Sequence, residues 1–117
     1  MELSKRLEMV AGLVTQERIA DIGTDHGYVP IYLYKKGKIK KAYACDVRKG
    51  PLEKCKKNIA LYGAEDVIET RLGSGLTPLK AGEAETAIMA GMGGMLIVHI
   101  LQDSPEVADS LTELVLS

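Results

Sequence analysis

Arg18-Ile19-Ala20-Asp21-Ile22-Gly23-Thr24-Asp25-His26-Gly27-Tyr28-Val29-Pro30 is the stretch on which the fold turns. Its first five residues form a short, mostly apolar run that suits a buried strand. A turn rich in glycine and acid follows, over residues 23–27. Residues 29–36 then read as a helix. Pro30 sits near its first turn, where the missing N–H costs nothing. Gly37 is placed to end it. Strand, glycine turn and helix in that order make half of a crossover unit, and the chain repeats the pattern outward in both directions.

Upstream, residues 4–14 predict an amphipathic helix, with Ser4 as N-cap and Leu7, Val10, Ala11 and Val14 at helical spacing. Downstream, residues 42–47 predict a second strand that reaches the acid Asp46. Residues 51–62 predict a helix between Gly50-Pro51 and Gly63. A third strand over 67–72 runs into Gly73-Ser74-Gly75, and a fourth over 86–90 runs into Gly91-Met92-Gly93-Gly94. A helix over 95–102 and a fifth strand over 113–116 complete the pattern. Such alternation favours right-handed crossovers, hence an α/β fold with an open, mainly parallel sheet and helices on both faces. It forms one domain over residues 1–117, with the sheet incomplete after the fifth strand. An unpaired fifth strand would leave an open edge, with a risk of self-association.

Composition fits a soluble globular domain: 46% hydrophobic and 26% charged residues. Five tyrosines stand beside no Phe and no Trp, so the core must be aliphatic. Cys45 and Cys55 are too few for a disulfide framework or a zinc site and read as small buried thiols. No metal site is expected. No apolar run is long enough to span a bilayer, and the N-terminus lacks a signal-peptide core, which implies a cytoplasmic protein without a membrane partner. Charge is unevenly spread. Residues 1–60 carry 13 Lys+Arg against 7 Asp+Glu, whereas residues 61–117 carry 2 against 9. The lysines at 35, 36, 38, 40, 41, 49, 54, 56 and 57, with Arg48, read either as a solvated face or as a footprint for a polyanion.

Ligands of open α/β sheets bind at the carboxyl ends of the strands. A loop that cradles a dinucleotide would read G-x-G-x-x-G and lay pyrophosphate on amide groups. Here only Gly23 and Gly27 remain, with Asp21 and Asp25 beside the same spot. Like charges at ~4 Å repel by about 4 kcal/mol at an effective dielectric of ~20. The acids instead favour a cation, and S-adenosylmethionine, with its sulfonium and ammonium groups and no phosphate, fits that sign. Gly23 and Gly27 would let backbone approach it closely. Asp46, 25 residues after Asp21 at the end of the next strand, is placed to accept the ribose hydroxyls, with Val47 beside it. Gly73 and Ser74 read as the adenine end or as a plain turn. Gly91, Met92 and Gly93 read as the end nearest the transferable methyl.

On these stretches the chain resembles the bacterial tRNA (adenine-22-N1)-methyltransferases. The specific matches are the Asp25-His26-x-Tyr28-x-Pro30 run and Ala90-Gly91-Met92-Gly93-Gly94, with Leu3-Ser4-Lys5-Arg6-Leu7 and Asp46-Val47-Arg48-Lys49-Gly50-Pro51-Leu52 in support. The resemblance implies a Rossmann-like S-adenosylmethionine-binding domain acting on N1 of an adenine in tRNA. It implies that Asp21, Gly23, Asp25 and Gly27 line the methionine end and that Asp46 holds the ribose. Asp25, His26 and Tyr28 would face the reaction chamber, with Met92 and Gly93 as its floor. His26 either bonds the base or braces the loop. Tyr28 either stacks on the base or joins the core, and the core is the favoured reading. His99 has no assigned role. Ser74 stands where the family carries an acid for the adenine amino group. The family's later strands and helical extension, thought to hold tRNA, have no counterpart here, so the domain reads as partial. Two other readings remain: a non-catalytic cofactor- or nucleotide-binding module, and a methyltransferase for another RNA or a protein.

Overall fold

The structure is a computed structural model that describes residues 2–117. In chain order its elements are α1 (Lys5–Gly12), β1 (Arg18–Ile22), α2 (Tyr28–Lys35), β2 (Lys41–Asp46), α3 (Lys49–Leu61), β3 (Ile68–Leu72), β4 (Thr86–Met89), α4 (Gly94–Asp103), α5 (Pro105–Ser110) and β5 (Glu113–Leu116). All four strand pairings are parallel, in the order β3-β2-β1-β4-β5. The order reverses between β1 and β4, the point at which open sheets of this kind form a crevice.

Alternating residues of each strand face opposite layers. Ile19, Ala42, Ala44, Ile68, Ile88 and Val115 pack against α1, α2 and α3. Ala20, Ile22, Tyr43, Cys45, Ala87 and Met89 pack against α4, α5 and Leu76 and Leu79 of the preceding loop. The core is aliphatic as composition requires, and Tyr43 is the one ring inside it. The thiols of Cys45 and Cys55 are buried, and burial first, then the charge of Asp21, pushes both up to about 12.

The expected elements are present with their ends moved by at most two residues, and β1 and β5 keep the expected bounds. Ser4 caps α1, its Oγ accepting from the Leu7 amide at 3.3 Å, but the helix stops at Gly12. Gly37 and Gly63 follow α2 and α3 with φ of +68° and +66°, a conformation glycine adopts without penalty. Helix α5 is additional: Pro105 starts a single short turn of helix whose only buried side chain is Val107. No helix among the described residues is long and apolar enough to cross a membrane.

Candidate active site

The carboxyl ends of β1, β2 and β4 meet two cavities that share Ile22 and Gly23. The first, about 270 Å³, lies between the β2 and β3 ends and α4, and includes Asp46, Val47, Gly73, Ser74, Met92, His99 and Asp103. The second, about 290 Å³, lies between α1, α2 and the β4 end, and includes Arg6, Asp21, Thr24, Asp25, Tyr28 and Gly91. Met92 reaches over the seam, since a Cβ on Gly23 would stand 3.2 Å from its Cε.

Asp21, the last but one residue of β1, is 5% exposed. Thr24 Oγ1 donates to its Oδ2 at 2.9 Å. Burial pushes its carboxyl up to about 7, against the pull of the Thr24 hydrogen bond and with a further push from Asp46. Asp46, one strand over, is held the other way. Its burial raises it, but the amides of Arg48 and Asp25 donate to its two oxygens at 2.9 Å each, and the Arg48 guanidinium adds a contact at 3.4 Å. The net result lies below the usual carboxylate range. Two acids of the same kind therefore sit in neighbouring strands with opposite proton affinities.

The loop between β1 and α2 uses its amides on the protein itself. Gly23 and Thr24 N–H groups both donate to Cys45 O, at 2.9 and 2.8 Å. The Asp25 amide is taken by Asp46, and the Gly27 amide by Thr24 O at 3.0 Å. This exchange of partners holds Asp25 at φ +58°, where a residue with a Cβ is strained. Its carboxylate contacts His26 Nδ1 at 3.3 Å and Arg48 Nη2 at 3.7 Å. Asn58 of α3 donates to His26 O at 3.0 Å, which ties the loop tip down. The His26 and Tyr28 rings stack with centroids 5.5 Å apart.

These positions sort the sequence expectations. Asp21, Gly23, Asp25, Tyr28, Asp46, Val47, Gly73, Ser74, Gly91 and Met92 line one cavity or the other. Gly27 does not. A Cβ there would come within 2.6 Å of Cys55 Sγ, so this glycine serves the packing of loop on α3. Gly93 caps α4 and lies outside both linings, as does His26, whose ring stacks on the lining residue Tyr28. Gly73 and Gly75 leave room for Pro78 and Ile100. Tyr28 is 42% exposed, so it is a wall of the cavity and not a core residue. Sequence reading missed Arg6, Thr24 and Arg48. It also gave no part to His99 or Asp103, which the helical spacing of four puts on one face of α4.

A methyltransferase-domain family model matches residues 3–117. The chain belongs to that family. Among curated relatives, this methyltransferase domain is similar to the Bacillus subtilis (strain 168) tRNA (adenine(22)-N(1))-methyltransferase, with 41% identity over 103 residues, 87% of this chain and 43% of the relative. Its fold matches the crystal structure of the B. subtilis m1A22 tRNA methyltransferase TrmK with a TM-score of 0.88 and 39% identity, over 98% of this chain and 50% of that one. A Streptococcus pneumoniae protein crystallised with S-adenosyl-L-methionine matches with a TM-score of 0.93 and 38% identity, over 98% of this chain and 55% of that one. The methyltransferase domain described here spans about half the length of these relatives.

Proposed function

We propose that this domain binds S-adenosylmethionine across the two joined cavities and serves methyl transfer to N1 of an adenine in tRNA, at position 22 by its likeness to the relatives. The single observation that carries the reading is the state of the first loop. Four of its amides, those of Gly23, Thr24, Asp25 and Gly27, are already engaged, and acids stand where a phosphate would have to lie. A pyrophosphate there meets few free donors and two carboxylates, whereas a sulfonium and an ammonium are attracted by those carboxylates. This argues against the reading as a nucleotide-binding module.

In this reading Asp46, at the first cavity, accepts from the ribose hydroxyls, and Val47 and Met92 supply apolar walls. Gly73, Ser74 and Asp103 surround the adenine end. Asp21 faces the amino-acid end in the second cavity. The bound cofactor supplies an electrophilic methyl group on a positively charged sulfur. Adenine N1 offers a free lone pair, so no general base is needed to begin the reaction. Positioning and charge supply most of the rate. The stacked His26–Tyr28 pair gives a flat face for the target base. Asp25, whose carboxylate lies beside His26 and Arg48 at the second cavity, is the acid we assign to the base as it becomes cationic. Gly23 keeps the seam open, and Gly91 and Gly93 let the β4 end approach the ligand.

The basic half of the chain is the face we assign to RNA, and the fold divides it. Helices α2 and α3 start at the site and run away from it. Arg48 and Lys49 thus stand at the rim, with Lys54, Lys56 and Lys57 along α3. Lys35, Lys36, Lys38, Lys40 and Lys41 lie toward the far end of the sheet. Several of those are occupied locally: Lys35 lies over Tyr62 at 4.8 Å, Lys36 over Tyr32 at 5.4 Å, and Lys40 and Lys41 pair with Glu17 and Glu69. On α3, Lys56 pairs with Glu53 at 3.5 Å, whereas Lys49, Lys54 and Lys57 pair with no acid among the described residues and are the better phosphate contacts. We assign the domain to the cytoplasm, where free thiols such as Cys45 and Cys55 persist.

The test is calorimetry on this chain with S-adenosylmethionine and with NAD, followed by transfer of a labelled methyl to a tRNA transcript carrying adenine or guanine at position 22. Binding of S-adenosylmethionine alone, and label dependent on the adenine, are expected. Preference for NAD would overturn the cofactor reading, and label independent of position 22 would overturn the target.

A further inference from the structure

A continuous run of contacts leads from Asp46 through Arg48, Asp25 and His26 to Tyr28. Asp46 Oδ1 accepts from the Arg48 amide at 2.9 Å and from Arg48 Nε at 3.4 Å. Its Oδ2 accepts from the Asp25 amide at 2.9 Å. The far end of the same guanidinium stands 3.7 Å from Asp25 Oδ1, and Asp25 Oδ2 lies 3.3 Å from His26 Nδ1. The His26 ring stacks on Tyr28. Arg48 thus joins an acid of the first cavity to an acid of the second, yet it lines neither.

The two acids hold this guanidinium loosely. Its side chain is 62% exposed, and its contacts to them are 3.4 and 3.7 Å long. Arg71 grips Glu83 at 2.6 and 2.7 Å by comparison. A carboxylate offers about four lone-pair sites to donors. Asp46 already uses two on Oδ1 and one on Oδ2 within the protein. A ribose diol brings two hydroxyl donors, so one present donor must give way. The longest contact, from Arg48 Nε, is the weakest of the three. The two amides are fixed by the loop after β1 and by the N-cap of α3, and they stay. The released guanidinium keeps only the exposed pair with Asp25, and such pairs are worth little. Its planar fork, standing at the rim beside Lys49, matches a phosphate with two parallel hydrogen bonds.

We propose that Arg48 exchanges the Asp46 carboxylate for a backbone phosphate of the RNA when the cofactor's ribose occupies Asp46, so that cofactor and RNA bind with positive cooperativity. This rests on the function proposed above. Arg48 touches neither the reacting methyl nor the target base; it is a positioning residue that links the two binding events. The same exchange draws a cation away from Asp25 and leaves that carboxylate to the base as it becomes cationic. Linkage makes the effect reciprocal: RNA bound first strengthens the cofactor by the same factor.

The test titrates a labelled tRNA transcript with this chain, with and without saturating S-adenosylhomocysteine, which keeps the ribose and has no methyl group to donate. Wild type, Arg48→Ala, Arg48→Lys and Lys49→Ala are compared, and a thermal melt checks that each folds. In the wild type the cofactor product should tighten tRNA by about 5- to 10-fold, in the usual range of coupling between sites. It should also steepen the salt dependence by about 0.7–0.9, one further phosphate contact. In Arg48→Ala the enhancement should fall below about twofold and the added slope should vanish, and Arg48→Lys should recover part of both. Lys49→Ala should weaken tRNA in both conditions and keep the enhancement. Enhancement that survives in Arg48→Ala, or is absent from a wild type that binds both ligands, would overturn the exchange and leave the proposed function standing. Weaker tRNA binding on adding the cofactor product would mean that the guanidinium passes to Asp25 instead, and would overturn it equally. A wild-type chain that fails to bind S-adenosylhomocysteine or tRNA would sink the proposed function, and this inference with it.

Discussion

At the scale of single residues, Asp21 carries the most consequence. Its carboxyl moves from an ordinary 3.8 to about 7 because burial disfavours the charged form. Between those values the folded chain holds a proton that the unfolded chain releases. Stability from this group therefore falls as pH rises through that window. Asp21→Asn keeps an oxygen for the Thr24 hydroxyl and removes the titration. Urea melts at pH 5 and pH 8 should show the Asn variant gaining about 2–3 kcal/mol on the wild type between the two. A difference that is flat with pH would mean that Asp21 is solvated and ionised in the fold. That Asp21 and Asp46 line the cavities was legible in the sequence because both lie at the carboxyl ends of strands, whatever the detail of the packing. Their opposite proton affinities were not. Those depend on the Thr24 hydroxyl and the Arg48 and Asp25 amides, which no spacing rule assigns. Arg6 was hidden for a plainer reason: residue 6 meets residue 91 only after the sheet has formed.

At the scale of elements, the loop from β3 to β4 is fixed by one buckle. Arg71 on β3 donates to both oxygens of Glu83, at 2.6 and 2.7 Å, to Pro78 O at 3.0 Å and to Glu69 at 2.7 Å. Its guanidinium also lies 4.5 Å over the Tyr43 ring. Hydrogen bonds from Arg71, with the Lys80 amide in support, pull the Glu83 carboxyl down to about 2. A lowered carboxyl adds stability that is present above its ordinary 4.5 and is lost as pH falls toward 2. Glu83→Gln should cost on the order of 2 kcal/mol at pH 7, and the gap to wild type should close in acid. Thermal melts at pH 7 and pH 3 measure it, and an equal gap at both would reject the charged pair as the cause. The buckle positions Gly73 and Ser74 at the first cavity, so the same variant should loosen ligand contacts there. Strand and helix identities followed from apolar runs and glycine stops, which act locally. Helix α5 escaped notice because six residues with one buried side chain carry no periodic signal. Gly27 was misread because a glycine needed for a left-handed turn packed on Cys55 looks, in sequence, like one that clears space for a ligand.

At the scale of the whole molecule, the charge asymmetry of the sequence becomes an asymmetry of layers. Helices α1, α2 and α3 carry the basic half on one face of the sheet, and α4 and α5 lie with the acidic half on the other. Leu114 and Leu116 of β5, 42% and 45% exposed, belong to the acidic half. On the proposed function, an RNA would be steered by this asymmetry to the α3 side, where Arg48 and Lys49 adjoin the site. Each phosphate neutralised releases counterions, so affinity falls with salt by a slope of about 0.7–0.9 per contact. Lys49→Ala and Lys54→Ala should each reduce that slope by roughly one contact, and their double variant by about two. Lys38→Ala, at the far end of the sheet, should leave it unchanged. The expectation is checked by tRNA titrations of this chain between 50 and 200 mM salt. If Lys38 mattered as much as Lys49, attraction would come from net charge alone and the RNA would have no preferred face. A dependence confined to the α3 lysines would instead tie the path of the strand to the helix that begins at Lys49, just after Asp46, and so bring its bases to the Tyr28 wall.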